Sequence, residues 1–139
     1  MPSILNPYLT FNGNAGEAMK FYHSVLGGEL NIQTFKDAKM AHAPEEEDRI
    51  IHATLKSDSI SIMASDSMLE RPAKFGDNVH MSITGEDGER LTQVFNGLSK
   101  GGTVDMPLAK QFWGDTYGQF TDKYGIHWMI NITSPKGTT

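Results

Sequence analysis

Apolar and polar positions along this chain alternate in short runs, and twice the alternation gives way to a helical period. Ile4 to Phe11 reads as a strand, closed by the turn residues Asn12-Gly13-Asn14. Ala15, Ala18, Met19, Tyr22, Val25 and Leu26 then follow at i, i+3, i+4, i+7 spacing, which is one face of an amphipathic helix. Asn14 or Asn12 is the expected N-cap, and Gly27 or Gly28 the stop. Strands are predicted over 29–36, 50–56 and 59–65, the last two joined by a tight turn at Ser57-Asp58. The same order then recurs. Val79 to Thr84 reads as a strand, and a helix from about Asp87 carries the stripe Leu91, Val94, Phe95 and Leu98. Strands over 103–108, 118–122 and 126–132 complete the chain.

The recurrence extends to residues. Phe21 to Gly28 (FYHSVLGG) and Phe95 to Gly102 (FNGLSKGG) both end a helix on a Gly pair, at one offset (21 to 95, 27 to 101). Self-similarity of this kind implies two copies of one unit. The expected fold is α+β, with two βαβββ modules that share one sheet system and form a site between them. Module one covers 1–65, a linker 66–78, module two 79–133 and a disordered tail 134–139. Between the second and third strands, 37–49 contains Pro44 and the run Glu45-Glu46-Glu47-Asp48, expected to be a solvated loop rather than a cation site.

Successive strand side chains point to opposite faces. One face carries Leu9 and Phe11; Ile51, Ala53 and Leu55; Ile60, Ile62 and Ala64; Val79, Met81 and Ile83; and Ile126, Trp128, Ile130 and Ile132. These are the expected core beneath the helices. The other face carries Asn6, Tyr8 and Thr10; His52 and Thr54; Ser61, Met63 and Ser65; His80, Ser82 and Thr84; and His127, Met129 and Asn131. A sheet with one wet face gives the same alternation. This second face, however, has almost no Lys, Glu or Asp. Its His, Asn, Ser, Thr, Met and Tyr suit a pocket, with polar groups to orient a ligand and soft apolar surface to contact it.

Composition narrows the chemistry. Twelve basic residues against 17 acidic give a net charge of −5, without a basic run, so nucleic acid is not an expected partner. There are no cysteines, which excludes disulfides, thiolate metal sites and Cys nucleophiles and fits a reducing cytoplasm. MPSILNPY has neither the basic start nor the apolar stretch of a signal peptide, and no apolar run approaches the roughly 20 residues of a membrane span. The expected location is cytoplasmic. No phosphate-binding glycine loop, GxGxxG or Ser-elbow motif occurs.

The phrases NPYLTFNGNAGEAMKFY, ISIMASDS and FWGDTYGQFTDKYGIHWMIN, set in a doubled βαβββ layout, resemble the PhnB-like branch of the vicinal oxygen chelate superfamily. That superfamily includes glyoxalase I, bleomycin-resistance proteins, fosfomycin-resistance enzymes and extradiol dioxygenases. The resemblance implies two modules forming a cupped mixed sheet with a central pocket, a homodimer and, in metal-dependent members, four inward ligand positions that hold a divalent ion for substrate oxygens. Carried over position by position, these fall near Asn6, at Met63, at His80 and at Met129. Of these only His80 matches the family's ligand types, because thioethers are soft donors. The branch also bears a methyltransferase label, which no nucleotide-binding motif here supports.

His52 and His127 share the face of His80 by parity, so an improvised His site is an alternative to structural imidazoles. Trp113 and Tyr117, around Gly114, either close over a ligand or pack as core or dimer aromatics. Asp66 is either a base or a turn residue bonding the backbone. The expected protein is a homodimer that binds an unidentified small molecule without metal or other cofactor, through Asn6, Tyr8, His52, Met63, His80, Trp113, Tyr117, His127 and Met129. The alternatives are a divergent enzyme, either metal-dependent or using His80 or Asp66 as acid–base, and a pure interaction dimer.

Overall fold

The computed structural model describes residues 3–134. The chain divides between Lys74 and Phe75 into two compact units. The first contains β1 (Tyr8–Phe11), α1 (Ala15–Leu26), β2 (Glu29–Thr34), a 3-10 turn (Pro44–Glu46), β3 (Ile50–Lys56) and β4 (Ser61–Asp66). The second contains β5 (Met81–Gly85), α2 (Gly88–Ser99), β6 (Thr103–Lys110), β7 (Thr116–Thr121) and β8 (His127–Ile132). Each unit is the predicted βαβββ, and each folds into a four-stranded mixed sheet. The strand orders, β1-β4-β3-β2 and β5-β8-β7-β6, are one topology used twice. In both, the first strand lies parallel to the last (Phe11 beside Asp66, Gly85 beside Ile132), and the other pairs are antiparallel. Ser134 is described; the rest of the predicted tail lies outside the described residues.

Each helix covers one face of its own sheet. In the first unit Ala15, Ala18, Met19, Tyr22 and Leu26 are buried with Phe11, Ala53, Leu55, Ile62 and Ala64. In the second, Leu91, Val94, Phe95 and Leu98 are buried with Phe120, Trp128 and Ile130. There Phe95 meets Phe120 edge-on at 4.9 Å between ring centroids, and Phe120 stacks on Trp128 at 6.3 Å. Phe35, Phe120 and Tyr124 are core residues that strand parity did not include.

Three expectations fail locally. The first strand begins at Tyr8, not Ile4, because Pro7 has no N–H for a ladder. Ile4 and Leu5 are 75% and 98% exposed, and Asn6 precedes the strand. The fifth begins at Met81, so Val79 is 74% exposed rather than core, and His80 sits just outside the strand. At the start of β3 the register shifts between Gln33 and Thr34, which face His52 and Ile50. The extra residue is Ile51, and the bulge turns Ile50 instead into the core. The acidic segment also differs from a fully solvated loop: Glu46 is buried, and its carboxylate accepts from the His42 N–H at 2.9 Å.

The Gly pairs have a common cause. A Cβ on Gly28 would sit 2.7 Å from the Lys56 carbonyl oxygen of β3, and one on Gly102 would collide with the Thr121 carbonyl oxygen of β7. Gly28 also has φ +92°, a left-handed conformation that strains other residues. Gly28→Ala is therefore expected to cost about 2 kcal/mol or more. Gly102→Ala fails for the collision alone. Urea denaturation should show both midpoints lowered, with Lys56 and Thr121 carbonyls as the displaced groups.

Candidate functional site

The face of each sheet away from its helix carries the predicted polar set. In the second unit, cross-strand register arranges it in rows. Thr84, Asn131 and Tyr117 form one row, and Ser82, Met129 and Gln119 the next. Thr121 pairs with His127, and His80 lies immediately before the first residue of β5. The side chains are tied to one another. Gln119 Nε2 donates to Tyr117 Oη at 2.8 Å, and that hydroxyl donates to Met129 Sδ at 3.4 Å. Such a chain fixes the phenol ring and the thioether together.

His127 is held at both ring nitrogens. Nε2 lies 3.1 Å from the Gly76 carbonyl oxygen, which can only accept, so Nε2–H donates. Nδ1 lies 2.8 Å from Thr121 Oγ1, whose hydroxyl also reaches Asp105 Oδ2 at 2.9 Å. That hydroxyl has one proton to give, to the Asp105 carboxylate or to a neutral Nδ1. His80 stands 5.5 Å from His127 between ring centroids. Among the described residues its own nitrogens make no hydrogen bond.

The loop between β6 and β7 is equally constrained. Gln111 N–H donates to the Asp115 carbonyl at 2.8 Å, and Gly114 N–H to the Gln111 carbonyl at 3.0 Å. The Asp115 carboxylate accepts from Asn131 Nδ2 and from the Ser134 N–H, both at 3.0 Å. The Asn131 amide, then the Ser134 N–H, hold Asp115 below the usual 3.8 against the opposing effect of burial, and the Trp113 side chain adds to them. A depressed carboxylate stabilises the fold above its unfolded value, and that contribution is lost as pH falls through the folded one. Asn131→Ala should therefore move the Asp115 titration upward, as read from its carboxyl carbon shift in NMR. An unmoved titration would assign the effect elsewhere.

In the first unit, Tyr8 and His52 lie 6.1 Å apart between ring centroids, and Met63 sits on β4 between Tyr8 and Thr54. Asn6 is half-buried ahead of β1. Asp66, at the end of β4, is 5% exposed, and its carboxylate is committed to backbone amides. Oδ1 accepts from Gly13 N–H at 2.8 Å and Ala15 N–H at 2.9 Å, and Oδ2 from Ile50 N–H at 2.8 Å. Asn14 gives α1 no side-chain cap, so Asp66 takes that place from a distant strand. Its bonds are long-range, not those of a local turn. Sequence reading also missed a groove of about 570 Å³ on the helix side of this unit, between Gly13, Glu17 and Lys20 on one wall and Thr34 and Asp48 on the other. The only sequence signal for it is the small residue Gly16 on an otherwise bulky helix face.

Of the ligand positions implied by the superfamily resemblance, those at Met63 and Met129 do not carry the usual hard donors. Met63 and Met129 supply thioethers, and the Met129 sulfur already accepts the Tyr117 hydroxyl. No group of three or more His, Asp or Glu among the described residues is arranged to hold a metal. No helix of the described residues is long and apolar enough to cross a membrane.

Solved structures with this architecture define the class. A glyoxalase/bleomycin resistance protein from Albidiferax ferrireducens T118 superposes with a TM-score of 0.59 over 91% of this chain and 97% of its own, at 15% identity. The fold is thus that of the glyoxalase/bleomycin-resistance/dioxygenase proteins. Within it, the chain belongs to the family described as 3-demethylubiquinone-9 3-methyltransferase, whose model matches residues 3–131. Protein YjdN of Escherichia coli (strain K12) is 30% identical over 145 residues, covering 96% of this chain and 98% of that protein. Protein PA1353 from Pseudomonas aeruginosa is 37% identical with a TM-score of 0.84, over 94% of this chain and 98% of its own. The PhnB protein of Bacillus cereus, called a putative 3-demethylubiquinone-9 3-methyltransferase, is 28% identical with a TM-score of 0.79, over 94% and 100%.

Proposed function

We propose that the chain binds a small organic molecule on the helix-free face of its sheets, as a cytoplasmic homodimer that uses no metal. The observation that carries this reading is the interlocked set Gln119, Tyr117 and Met129, with His127 held by Thr121 and Gly76. Groups fixed before a ligand arrives lose little freedom when it binds. In the first unit Tyr8, His52 and Met63 offer the same chemistry, with Asn6 ahead of the strand. Fragment screening by ligand-observed NMR tests the reading. Hits should weaken at least about tenfold in Met129→Ala and Tyr117→Leu variants, as for loss of a packed contact. A screen without hits, or hits indifferent to both variants, would sink it.

One observation supports a second reading, an enzyme. His80 offers an imidazole whose nitrogens are uncommitted, beside a histidine that is held firmly. Such a group suits general acid–base work on an oxygenated substrate. If so, His80→Ala should abolish turnover while leaving the urea midpoint unchanged. Asp66 takes no part in this reading, because its carboxylate oxygens serve three backbone amides. Metal content of protein purified without chelator separates the two further: about one equivalent of a divalent ion would make His80 a ligand and remove the metal-free reading.

A further inference from the structure

The loop between β6 and β7 brings three aromatic rings and a carboxylate to one end of the second sheet. Phe112 meets Trp113 edge-on at 5.0 Å between centroids, and Trp113 meets Tyr117 at 6.1 Å with 62° between the planes. Rings set at such an angle form a corner, and each offers an electron-rich face. Tyr117 is held by Gln119 and Met129, and Trp113 stands in a loop closed by the Gln111–Asp115 and Gly114–Gln111 backbone bonds. Asp115 makes no ion pair among the described residues, and its hydrogen bonds to Asn131 and Ser134 favour the charged form.

The charge around the corner has one sign. β5, β7 and β8 contain no Lys or Arg. Lys110 is the basic residue of this sheet; it pairs with Thr116, so it points to the face opposite Tyr117 and its partner Ala109. An anionic ligand would meet no counter-charge here, whereas a cation gains from the ring faces and the Asp115 carboxylate together.

We propose that Trp113, Tyr117 and Asp115 seat an organic ammonium group, so that ligands of this face are protonated or quaternary amines. This rests on the reading that the face binds a small molecule, and it goes further by giving the ligand a charge. Phosphonates and carboxylates are thereby disfavoured, since nothing on this face offers them a bidentate cation.

The test uses three probes with one hydroxyethyl tail: choline, its uncharged isostere with a tert-butyl group in place of trimethylammonium, and hydroxyethylphosphonate. Binding is read by ligand-observed NMR and by tryptophan fluorescence. Of the two tryptophans, Trp128 is 1% exposed, so a response on binding reports Trp113. Choline should bind about tenfold or more tighter than the neutral isostere, and the phosphonate not at all. Asp115→Asn should remove the preference for charge. Should that change loosen the hairpin, Trp113→Leu carries the test, because it removes a ring from the corner and leaves the carboxylate. The proposal is overturned if the isostere matches choline, if the phosphonate binds best, or if choline fails to bind at millimolar concentration. In each of those cases the small-molecule reading survives provided the fragment screen yields hits on this face; a screen without hits ends both.

Discussion

Asp66→Ala is expected to cost about 4 kcal/mol of folding stability, because one substitution removes the acceptor of three backbone N–H groups. Two of those bonds are buried, so water cannot replace the lost oxygen freely. The carboxylate also lies at the N-terminus of α1, where the helix dipole favours negative charge. Hydrogen bonds to a charged acceptor are individually worth about 1.5–3 kcal/mol, and their sum exceeds the effect of an ordinary surface change. Asp66→Asn keeps one carbonyl acceptor but points an N–H₂ at a backbone donor, so it should fall between the wild type and the alanine variant. Urea denaturation followed by circular dichroism gives the comparison. An alanine variant within about 1 kcal/mol of the wild type would show that the α1 start is held by something else.

Trp128→Ala is the second large effect, expected at about 4 kcal/mol. Trp128 is 1% exposed and stacked on Phe120, which itself meets Phe95 of α2. Removing it empties the centre of the second unit, and the surrounding strands cannot collapse fully into the space. The indole also donates from Nε1 to Asp122 Oδ2 at 2.8 Å, while Asp122 Oδ1 organises the turn through the Tyr124 and Ile126 N–H groups. Trp128→Phe retains an aromatic ring on Phe120 and loses that bond, so a smaller loss of about 1–2 kcal/mol is expected. Equal losses in the two variants would mean that the hydrogen bond, and not the packed volume, dominates.

The doubled element order was legible because each element carries its own period. The helical stripes at 15–26 and 91–98 and the alternation in β3, β4 and β8 depend only on neighbouring residues. Errors arose where a single residue changes the phase. The bulge at Ile51 reverses which of two adjacent isoleucines is buried, and no local pattern announces it. Val79 is apolar and β-branched, yet exposed, because pairing of β5 with β8 begins only at Met81. Pro7 was a readable stop that the alternation from Ile4 obscured.

The candidate site was legible as a list and not as a network. Parity placed His52, Met63, His127 and Met129 opposite the buried positions of their strands. It could not reveal that Tyr117 joins Gln119 to Met129, because those bonds cross from one strand to the next. It also could not assign Asp66, whose partners lie 53, 51 and 16 residues away. A carboxylate at a strand end looks the same in sequence whether it serves a ligand or a distant amide.

The two helices of the repeat begin in unlike ways, one closed locally and one from a distant strand. Asp87 caps α2 from within, accepting the Arg90 N–H three residues on. α1 has no such local cap and borrows the carboxylate of Asp66, 51 residues beyond Ala15. Closing that long loop costs chain entropy before the contact is made, whereas the short one closes almost freely. The start of α2 is thus completed within its own turn, whereas that of α1 is complete only with β4 in place, so the two copies share a shape but not the reach of the contacts that close it.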